Sequence, residues 1–371
     1  MKVIDSSSVY EICSEDMKSC DLLPAGCYII RFSPQTDFFL EKYSEIKANE
    51  QKVYGPHPEK VKKVMQSFQK FNRNLGVIVS GEKGSGRTLF LKLLAQEALK
   101  EKLPVIIVEK YMPGIIAVIE RISQEALVLF DEFDKTFCDV CEGEDEVNAD
   151  CSLFTLLDGF SQGKKLLAVT CSDVRKLEEN FLNRPGRFHY HFSFEYPKAE
   201  DIREYLEDNL EKQYYPEIEQ VIGFSGKVGL SYDCLRAVAF ELNCGGKFAE
   251  VIKELNLVNT EKIRYQVKVY YEDGTVTAND GFLIDLFSGY KSAVPVYDKK
   301  GDYMGTVILN PPSLSYDSSK DEMYVDSEDI GIRFDEDCYD LDDEIYEDMK
   351  KKKVCRISLK RKPDRKLYYR V

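Results

Sequence analysis

A glycine-rich loop between an apolar strand and a helix constrains this chain more than any other feature. The loop Gly81-Glu-Lys-Gly-Ser-Gly-Arg-Thr88 follows the apolar residues 76–80 and leads directly into a helical pattern over residues 88–100. Glycines at these spacings let successive backbone N–H groups curl around phosphate oxygens, and the helix amino terminus adds a positive end. The sequence therefore predicts a phosphate-binding loop.

The loop departs from the usual G-x-x-x-x-G-K-[ST] pattern at one position, because Arg87 stands where lysine is usual. Arginine pairs with phosphate, but its planar fork is bulkier than an ammonium group, so binding is expected to survive better than turnover. Lys83 lies in the middle of the loop, away from the usual lysine position. The residues predicted to contact the nucleotide are Gly81, Glu82, Lys83, Gly84, Ser85, Gly86, Arg87, Thr88 and Leu89.

Two adjacent carboxylates follow a second apolar strand. Residues 127–130 read Leu-Val-Leu-Phe, and Asp131 and Glu132 come directly after them. The carboxyl ends of parallel strands line the ligand crevice of such a sheet. We expect Thr88 and Asp131 to hold Mg²⁺ and Glu132 to orient or deprotonate the attacking water. ATP and Mg²⁺ are therefore the predicted cofactors.

The pattern of the whole chain predicts an α/β fold, a P-loop NTPase parallel sheet with a helical lid and additional modules at both ends. Strands are predicted at 76–80, 105–108, 126–130, 166–170 and 189–194, alternating with helical stretches. Helical patterns then occupy 199–210, 231–242 and 247–255, and β-branched and aromatic stretches follow. The predicted parts are a small amino-terminal module at 1–52, a nucleotide domain at 53–197, a helical lid at 198–258 and a β-rich module at 259–371.

Composition narrows the classes further. The 371 residues carry a net charge of -14, which argues against a broad nucleic-acid surface. Residues 321–349 hold fourteen acidic side chains and one arginine, and the residues after them are strongly basic. This acidic run reads as a solvated loop, with a basic partner peptide or pairing with the basic tail as alternatives. No apolar run is long enough to span a membrane.

The eleven cysteines are expected to be free thiols. Cys138 and Cys141 form one C-x-x-C pair with Cys151 nearby, but no second pair stands at zinc-ribbon spacing. Reduced thiols are therefore favoured over a zinc site.

With these motifs the chain resembles the AAA ATPases, ring-forming P-loop machines, over residues 53–257. The most specific match is Asn183-Arg-Pro-Gly-Arg-Phe188, which resembles the family's R-P-G-R-F element. The resemblance implies that Arg184 and Arg187 are arginine fingers that reach a neighbouring subunit's terminal phosphate. It also implies a homo-oligomer, a hexameric ring, acting on a protein client.

Three further positions follow from the resemblance. The family's polar sensor, commonly Asn, falls at Asp173 or at Ser172, depending on which side the alignment is counted from. Tyr111 would belong to a pore loop, with packing as the alternative. Asp233 or Arg236 would face nucleotide as a second sensor, with a helix cap at Ser231 as the alternative.

Residues 31–36 and 54–58 are similar to AAA proteins encoded by tailed bacteriophages. Together with an amino terminus unlike a secretory signal, this predicts a protein of the bacterial or phage-infected cytoplasm. The predicted function is Mg-ATP hydrolysis that remodels a protein client. The alternatives are a nucleotide-gated scaffold with weak or absent hydrolysis and, against the charge, a DNA-directed motor or loader.

Overall fold

The computed structural model describes most of the chain and divides it into two compact units, Met1–Tyr196 and Pro197–Val371. The described residues are 2–6, 9–13, 20–44, 46, 52–136, 157, 163–174, 177, 185–255, 263–284, 291–297, 303–326, 330–333 and 353–362.

The first unit is built on a mostly parallel sheet flanked by helices. Its described strands are β1 Lys2–Ser6, β2 Val9–Cys13, β3 Cys27–Ser33, β4 Asp37–Tyr43, β5 Leu75–Gly81, β6 Val105–Val108, β7 Ala126–Phe130, β8 Lys165–Cys171 and β9 Phe188–Phe194. Its described helices are α1 His57–Lys70, α2 Arg87–Lys100, α3 Ile115–Arg121 and the short α4 Phe133–Thr136. Seven of these strands form one sheet in the order β4-β3-β6-β7-β8-β5-β9, and β1 pairs with β2.

The sheet is apolar on both faces because helices cover both. Every residue of β7 and β8 is buried, as expected for central strands of a parallel sheet. One face packs against α1 and α2, where Phe68, Phe90 and Leu94 are buried. The other face packs against α3, where Ile115 and Ile119 are buried. The five strands predicted for this domain are confirmed, with ends shifted by at most one residue.

The β3–β4 hairpin continues the seven-stranded sheet instead of belonging to a separate module, in contrast to the module expected over 1–52; only β1 and β2 form a two-stranded sheet of their own among the described strands of that segment. Strand β3 pairs in parallel with β6, and β4 pairs antiparallel with β3 at the sheet edge. The physical reason lies in residues 27–30, all four of which are buried. A strand that is apolar on both sides needs cover on both faces, and the existing sheet provides it.

The second unit begins with helices, as the sequence predicted. They are α5 Ala199–Asn209, a 3₁₀ helix Lys212–Glu217, α6 Ile218–Ser225, α7 Tyr232–Asn243 and α8 Phe248–Glu254. Helix α7 begins at a side-chain cap, because the Ser231 hydroxyl accepts a hydrogen bond from the backbone N–H of Cys234 at 3.3 Å. The cap at Ser231, which the sequence analysis gave as the alternative to a second sensor, is therefore present.

The remainder of the second unit is antiparallel β structure. Its described strands are β10 Ile263–Tyr271, β11 Val276–Ile284, β12 Ser292–Tyr297, β13 Tyr303–Leu309, β14 Ser315–Asp317, β15 Glu322–Asp326, β16 Ile330–Arg333 and β17 Val354–Arg361. They form a five-stranded sheet in the order β11-β10-β17-β15-β14 and a three-stranded sheet in the order β12-β13-β16. One apolar core, with Tyr265, Val307 and Leu359 at its centre, receives side chains from both sheets.

The expectation of a solvated loop over 321–349 is wrong at the start of the acidic run. Strand β15 lies inside that run, and its Met323 and Val325 are buried in the β core. These residues alternate with polar neighbours, so one face of the strand is apolar although the segment as a whole is acidic. Among the described residues, no helix is long and apolar enough to cross a membrane.

Candidate nucleotide site

The glycine-rich loop joins the end of β5 to the start of α2, where the sequence placed it. Gly84 and Gly86 have φ angles of 79° and 92°, in the left-handed region that glycine adopts readily. Gly86 caps α2 without any side-chain hydrogen bond to the helix. The first N–H groups of the helix therefore receive no side-chain cap, as an anion-binding helix start requires.

Two buried polar atoms of the loop lack a hydrogen-bond partner, and this tests whether the loop fits a phosphate. The Ser85 hydroxyl and the Nη1 of Arg87 are buried and make no hydrogen bond within the described structure. Buried donors without acceptors are costly, and phosphate oxygens would satisfy both. Glu82 and Lys83 are exposed, and Leu89 is partly buried.

Thr88 and Asp131 meet across the site, as the sequence predicted. The Thr88 hydroxyl donates to the Asp131 carboxylate at 3.4 Å, although the two residues lie 43 positions apart. The other oxygen of Asp131 accepts from the Thr170 hydroxyl at 2.5 Å. A hydroxyl beside a carboxylate is an oxygen pair that suits Mg²⁺, which usually takes few protein ligands.

Other metal sites find no support in the part of the chain that the structure describes. There, no group of three or more His, Cys, Asp or Glu side chains could hold a metal ion. The pair Cys138 and Cys141, together with Cys151, lies outside the described residues.

Glu132 has an unusual backbone and an ion pair. Its φ angle is 51°, which is left-handed and uncommon for a residue with a side chain. Its N–H donates to the Thr170 hydroxyl at 2.8 Å and to the Asp131 carboxylate at 3.2 Å. Its own carboxylate lies 2.6 Å from the Lys135 ammonium, with both side chains about half exposed. The general base predicted from the sequence is thus paired with a cation of its own chain.

The two sensor candidates lie just after β8, beside the turn after β7 that carries Glu132 and Asp134. Ser172 donates both its N–H, at 3.0 Å, and its hydroxyl to the buried Asp134 carboxylate. The backbone N–H of Asp173 donates to the same oxygen at 3.3 Å. The Ser172 hydroxyl is therefore already engaged in a hydrogen bond within the protein.

Arg187 lies at the amino-terminal ends of the parallel strands, opposite the carboxyl-terminal ends where the phosphate loop lies. It directly precedes β9, whose first residue pairs with Gly76 at the start of β5, whereas the loop begins at Gly81 at the end of β5. These two ends of β5 are separated by five residues of strand, or roughly 17 Å. Arg187 therefore lies far from the phosphate loop of its own chain. Arg184 lies outside the described residues.

The remaining family positions are placed as follows. Tyr111 is partly buried and packs against the core, and a Cβ on nearby Gly114 would approach the Phe38 ring at 3.3 Å. Its pore-loop role stays a prediction. Asp233 and Arg236 lie in the second unit, where their side chains form an exposed ion pair at 3.9 Å.

His57 lies beside the phosphate loop, and the sequence analysis did not single it out. Its ring stacks on Phe194, with centroids 4.1 Å apart, and its Nε2 lies 2.6 Å from where a Cβ on Gly86 would stand. Burial lowers the pKa of His57, and the nearby Lys60 lowers it further, while the backbone at Tyr54 and Ser85 raises it. The available signal was the helical period, because His57 shares the apolar face of α1.

Comparison with known proteins identifies the domain that carries this site. The family model "ATPase family associated with various cellular activities (AAA)" matches residues 77–196. A 26S proteasome regulatory subunit 4 homolog of Dictyostelium discoideum is 26% identical over 211 residues, covering 53% of this chain and 47% of the relative. The ATPase family gene 2 protein of Schizosaccharomyces pombe is 28% identical over 125 residues, covering 30% of this chain and 15% of the relative. The chain thus matches less than half the length of either relative.

Proposed function

We propose, from the premise that this chain belongs to the AAA family of ATPases, that it binds and hydrolyses Mg²⁺-ATP to remodel a protein client. The observation that carries the proposal is the convergence at one sheet edge of three features. They are the phosphate loop, in which the Ser85 hydroxyl and Arg87 Nη1 have no hydrogen-bond partner among the described residues, the Thr88–Asp131 pair, and the carboxylate of Glu132.

Each residue has a distinct role in this proposal. The loop backbone and Arg87 bind the phosphates, and Thr88 and Asp131 would hold Mg²⁺. The bound ion would supply charge neutralisation on the phosphate oxygens. Glu132 accepts a proton from the attacking water, either at the second carboxylate oxygen or at Oε1 once the Lys135 ammonium has left that oxygen.

Assembly completes the site in this proposal. A cation that stabilises the transferred phosphoryl group has to lie close to it, and Arg187 lies at the far edge of the sheet in its own subunit. A head-to-tail arrangement would bring Arg187 of one copy to the phosphate loop of the next, and such an arrangement closes into a ring. We propose six subunits by family resemblance.

The client and the compartment belong to the same proposal. One relative is named as a regulatory subunit of the 26S proteasome, which supports action on proteins. The net charge of -14 disfavours a DNA-directed motor. A cytoplasmic site of action and a phage origin stay predictions from the sequence.

A nucleotide-gated scaffold is the second candidate, and two observations favour it. Arg87 replaces the usual lysine, and the Lys135 ammonium occupies the Glu132 carboxylate. Both features would slow turnover more than they would weaken binding. In this case ATP would drive assembly, and hydrolysis would be slow or absent.

The deciding experiment is steady-state ATP turnover with Mg²⁺ over a series of protein concentrations, beside the Glu132→Gln variant. Turnover that rises with concentration and is lost in the variant supports the hydrolase completed by assembly. Equal inactivity of both proteins, with ATP binding intact in both, contradicts the hydrolase and favours the scaffold.

A further inference from the structure

A buried carboxylate joins the ends of two neighbouring strands beside the nucleotide site. Asp134 lies in the short helix α4 and is 0% exposed. One of its oxygens, Oδ2, accepts the N–H of Ser172 at 3.0 Å, the N–H of Asp173 at 3.3 Å and the Ser172 hydroxyl. The turn after β7 is thereby attached to the turn after β8.

The cost of burying this carboxylate indicates that Asp134 serves to position the turn after β8 more than to stabilise the core by packing. Burying a carboxylate is costly unless hydrogen bonds compensate for the lost water. In Asp134 only one oxygen is compensated, since Oδ1 is buried and accepts no hydrogen bond from the described residues. An aliphatic side chain would fill the same place without that cost, but it would leave the turn after β8 unattached.

A second link joins the same two strands a few residues earlier in each. The Thr170 hydroxyl donates to Asp131 at 2.5 Å and accepts the N–H of Glu132 at 2.8 Å. Glu132 therefore lies between two cross-strand links, with Thr170 holding its amino-terminal side and Asp134 its carboxyl-terminal side.

The backbone of Glu132 shows what the two links sustain. Its left-handed φ of 51° is a conformation that a residue with a side chain adopts only at an energetic cost. Such a conformation persists only where the surroundings over-determine it. The Glu132 carbonyl also accepts the N–H groups of Lys135 and Thr136 inside the turn, but only Asp134 attaches this side of the turn to the turn after β8. If the Asp134 link were removed, the Glu132 turn could shift relative to the turn after β8 and its backbone could relax.

We propose that Asp134 is a positioning residue for ATP hydrolysis, and this role rests on the proposed function. It holds the Glu132 turn against the turn after β8, so that the general base and the sensor segment keep one fixed arrangement. Because the Ser172 hydroxyl is used in this link, the sensor role falls to Asp173. Asp134 itself touches neither nucleotide nor water in this account.

The test compares Asp134→Ala with the matched variant Asp134→Asn, whose amide oxygen can accept the same three donors. For each protein, kcat is measured with Mg²⁺-ATP, and the Kd is measured with an ATP analogue that carries a fluorescent label on its ribose. Loss of a hydrogen-bonded charge predicts a kcat about 10- to 100-fold lower in Asp134→Ala. Its Kd should stay within about threefold of wild type, and Asp134→Asn should recover most of kcat.

A third variant guards against misfolding. Ser172→Ala removes one of the three hydrogen bonds and leaves the buried carboxylate in place, so we expect kcat to fall about threefold with Kd unchanged. Thermal unfolding of every variant reports the folded fraction. A loss of kcat that only follows a loss of folded protein, with no rescue by Asp134→Asn, would show a merely structural residue.

The remaining outcomes separate this role from the proposed function. If the wild type is active and Asp134→Ala turns over ATP equally fast, the positioning role is wrong and the hydrolase stands. If the wild type binds the nucleotide but does not hydrolyse ATP, the hydrolase is wrong and the positioning role is overturned with it.

Discussion

The Lys135 ammonium lies 2.6 Å from the Glu132 carboxylate, three residues earlier in the chain. The oxygen in this contact, Oε1, can accept a proton from water only after it has released the ammonium group. The ion pair is half exposed, so breaking it costs little, at most about 1 kcal/mol. Lys135 thus acts as a mild brake on the proposed base.

Replacing Lys135 with alanine should therefore raise kcat, by up to about fivefold. The effect should shrink as ionic strength rises, because salt screens an exposed ion pair. Steady-state turnover at low and high salt measures both effects. A matched control is Lys100→Ala, which removes a lysine of the same i,i+3 geometry, 2.6 Å from Glu97 on α2. If kcat falls in Lys135→Ala, Lys135 assists the reaction, and the hypothesis that its ion pair slows Glu132 is wrong.

Arg87 should bind the phosphates but limit the rate. Truncation by Arg87→Ala removes charge-assisted hydrogen bonds, so we expect ATP affinity to fall about 10- to 100-fold. Arg87→Lys restores the compact ammonium of the usual loop, and kcat should rise at least about threefold with Kd little changed. Calorimetric titration with ATP and steady-state turnover separate the two quantities. A kcat that drops in Arg87→Lys would mean that the loop is adapted to arginine.

The parts of the fold that were predicted from the sequence are those that local patterns determine. The strands β6 and β7 were predicted to the residue, because each is an unbroken apolar run with a clear stop at both ends: Pro104 and Glu109 bound β6, and Glu125 and Asp131 bound β7. The phosphate loop was predicted because its glycines satisfy a backbone requirement that is visible in four or five positions. The meeting of Thr88 and Asp131 then follows from the shared edge of parallel strands.

The parts that were missed depend on partners distant in sequence. Nothing within residues 27–30 indicates that β3 pairs with β6, about 80 positions away. The hydrogen bonds between Ser172 and Asp134 span 38 positions, and although Ser172 was a sensor candidate, nothing in the local sequence indicates that it pairs with Asp134. In β15, charged neighbours concealed an alternating apolar pattern of two buried residues.

His57 should make the first unit sensitive to acid. Because burial lowers its pKa, the folded state keeps the imidazole neutral while the unfolded state takes up a proton near pH 6.5. This contribution to stability is complete above pH 6.5 and is lost as the pH falls towards the lower folded pKa. The neighbouring Lys60 acts in the same direction, because its charge opposes protonation of the imidazole.

The variant that isolates this effect is His57→Phe, which keeps a flat ring against Phe194. The difference in thermal unfolding temperature between pH 7.5 and pH 5 should be smaller in the variant than in wild type. His189→Phe is the control, because His189 is an exposed histidine of the same unit. If His57→Phe and wild type lose the same stability on acidification, His57 is not the residue that titrates.

Arg187 should act on a neighbouring subunit's nucleotide, and mixed assemblies test this directly. Arg187→Ala and Glu132→Gln should each abolish turnover when assembled alone, because every site then lacks either the finger or the base. In a mixture, an Arg187→Ala subunit still has Glu132 and can receive Arg187 from a Glu132→Gln neighbour. An equal mixture should therefore regain up to about a quarter of wild-type turnover if subunits join head to tail at random. If mixtures that are shown to co-assemble recover no turnover, Arg187 does not complete a neighbour's site. The loss of turnover in Arg187→Ala would then reflect a structural role of this arginine.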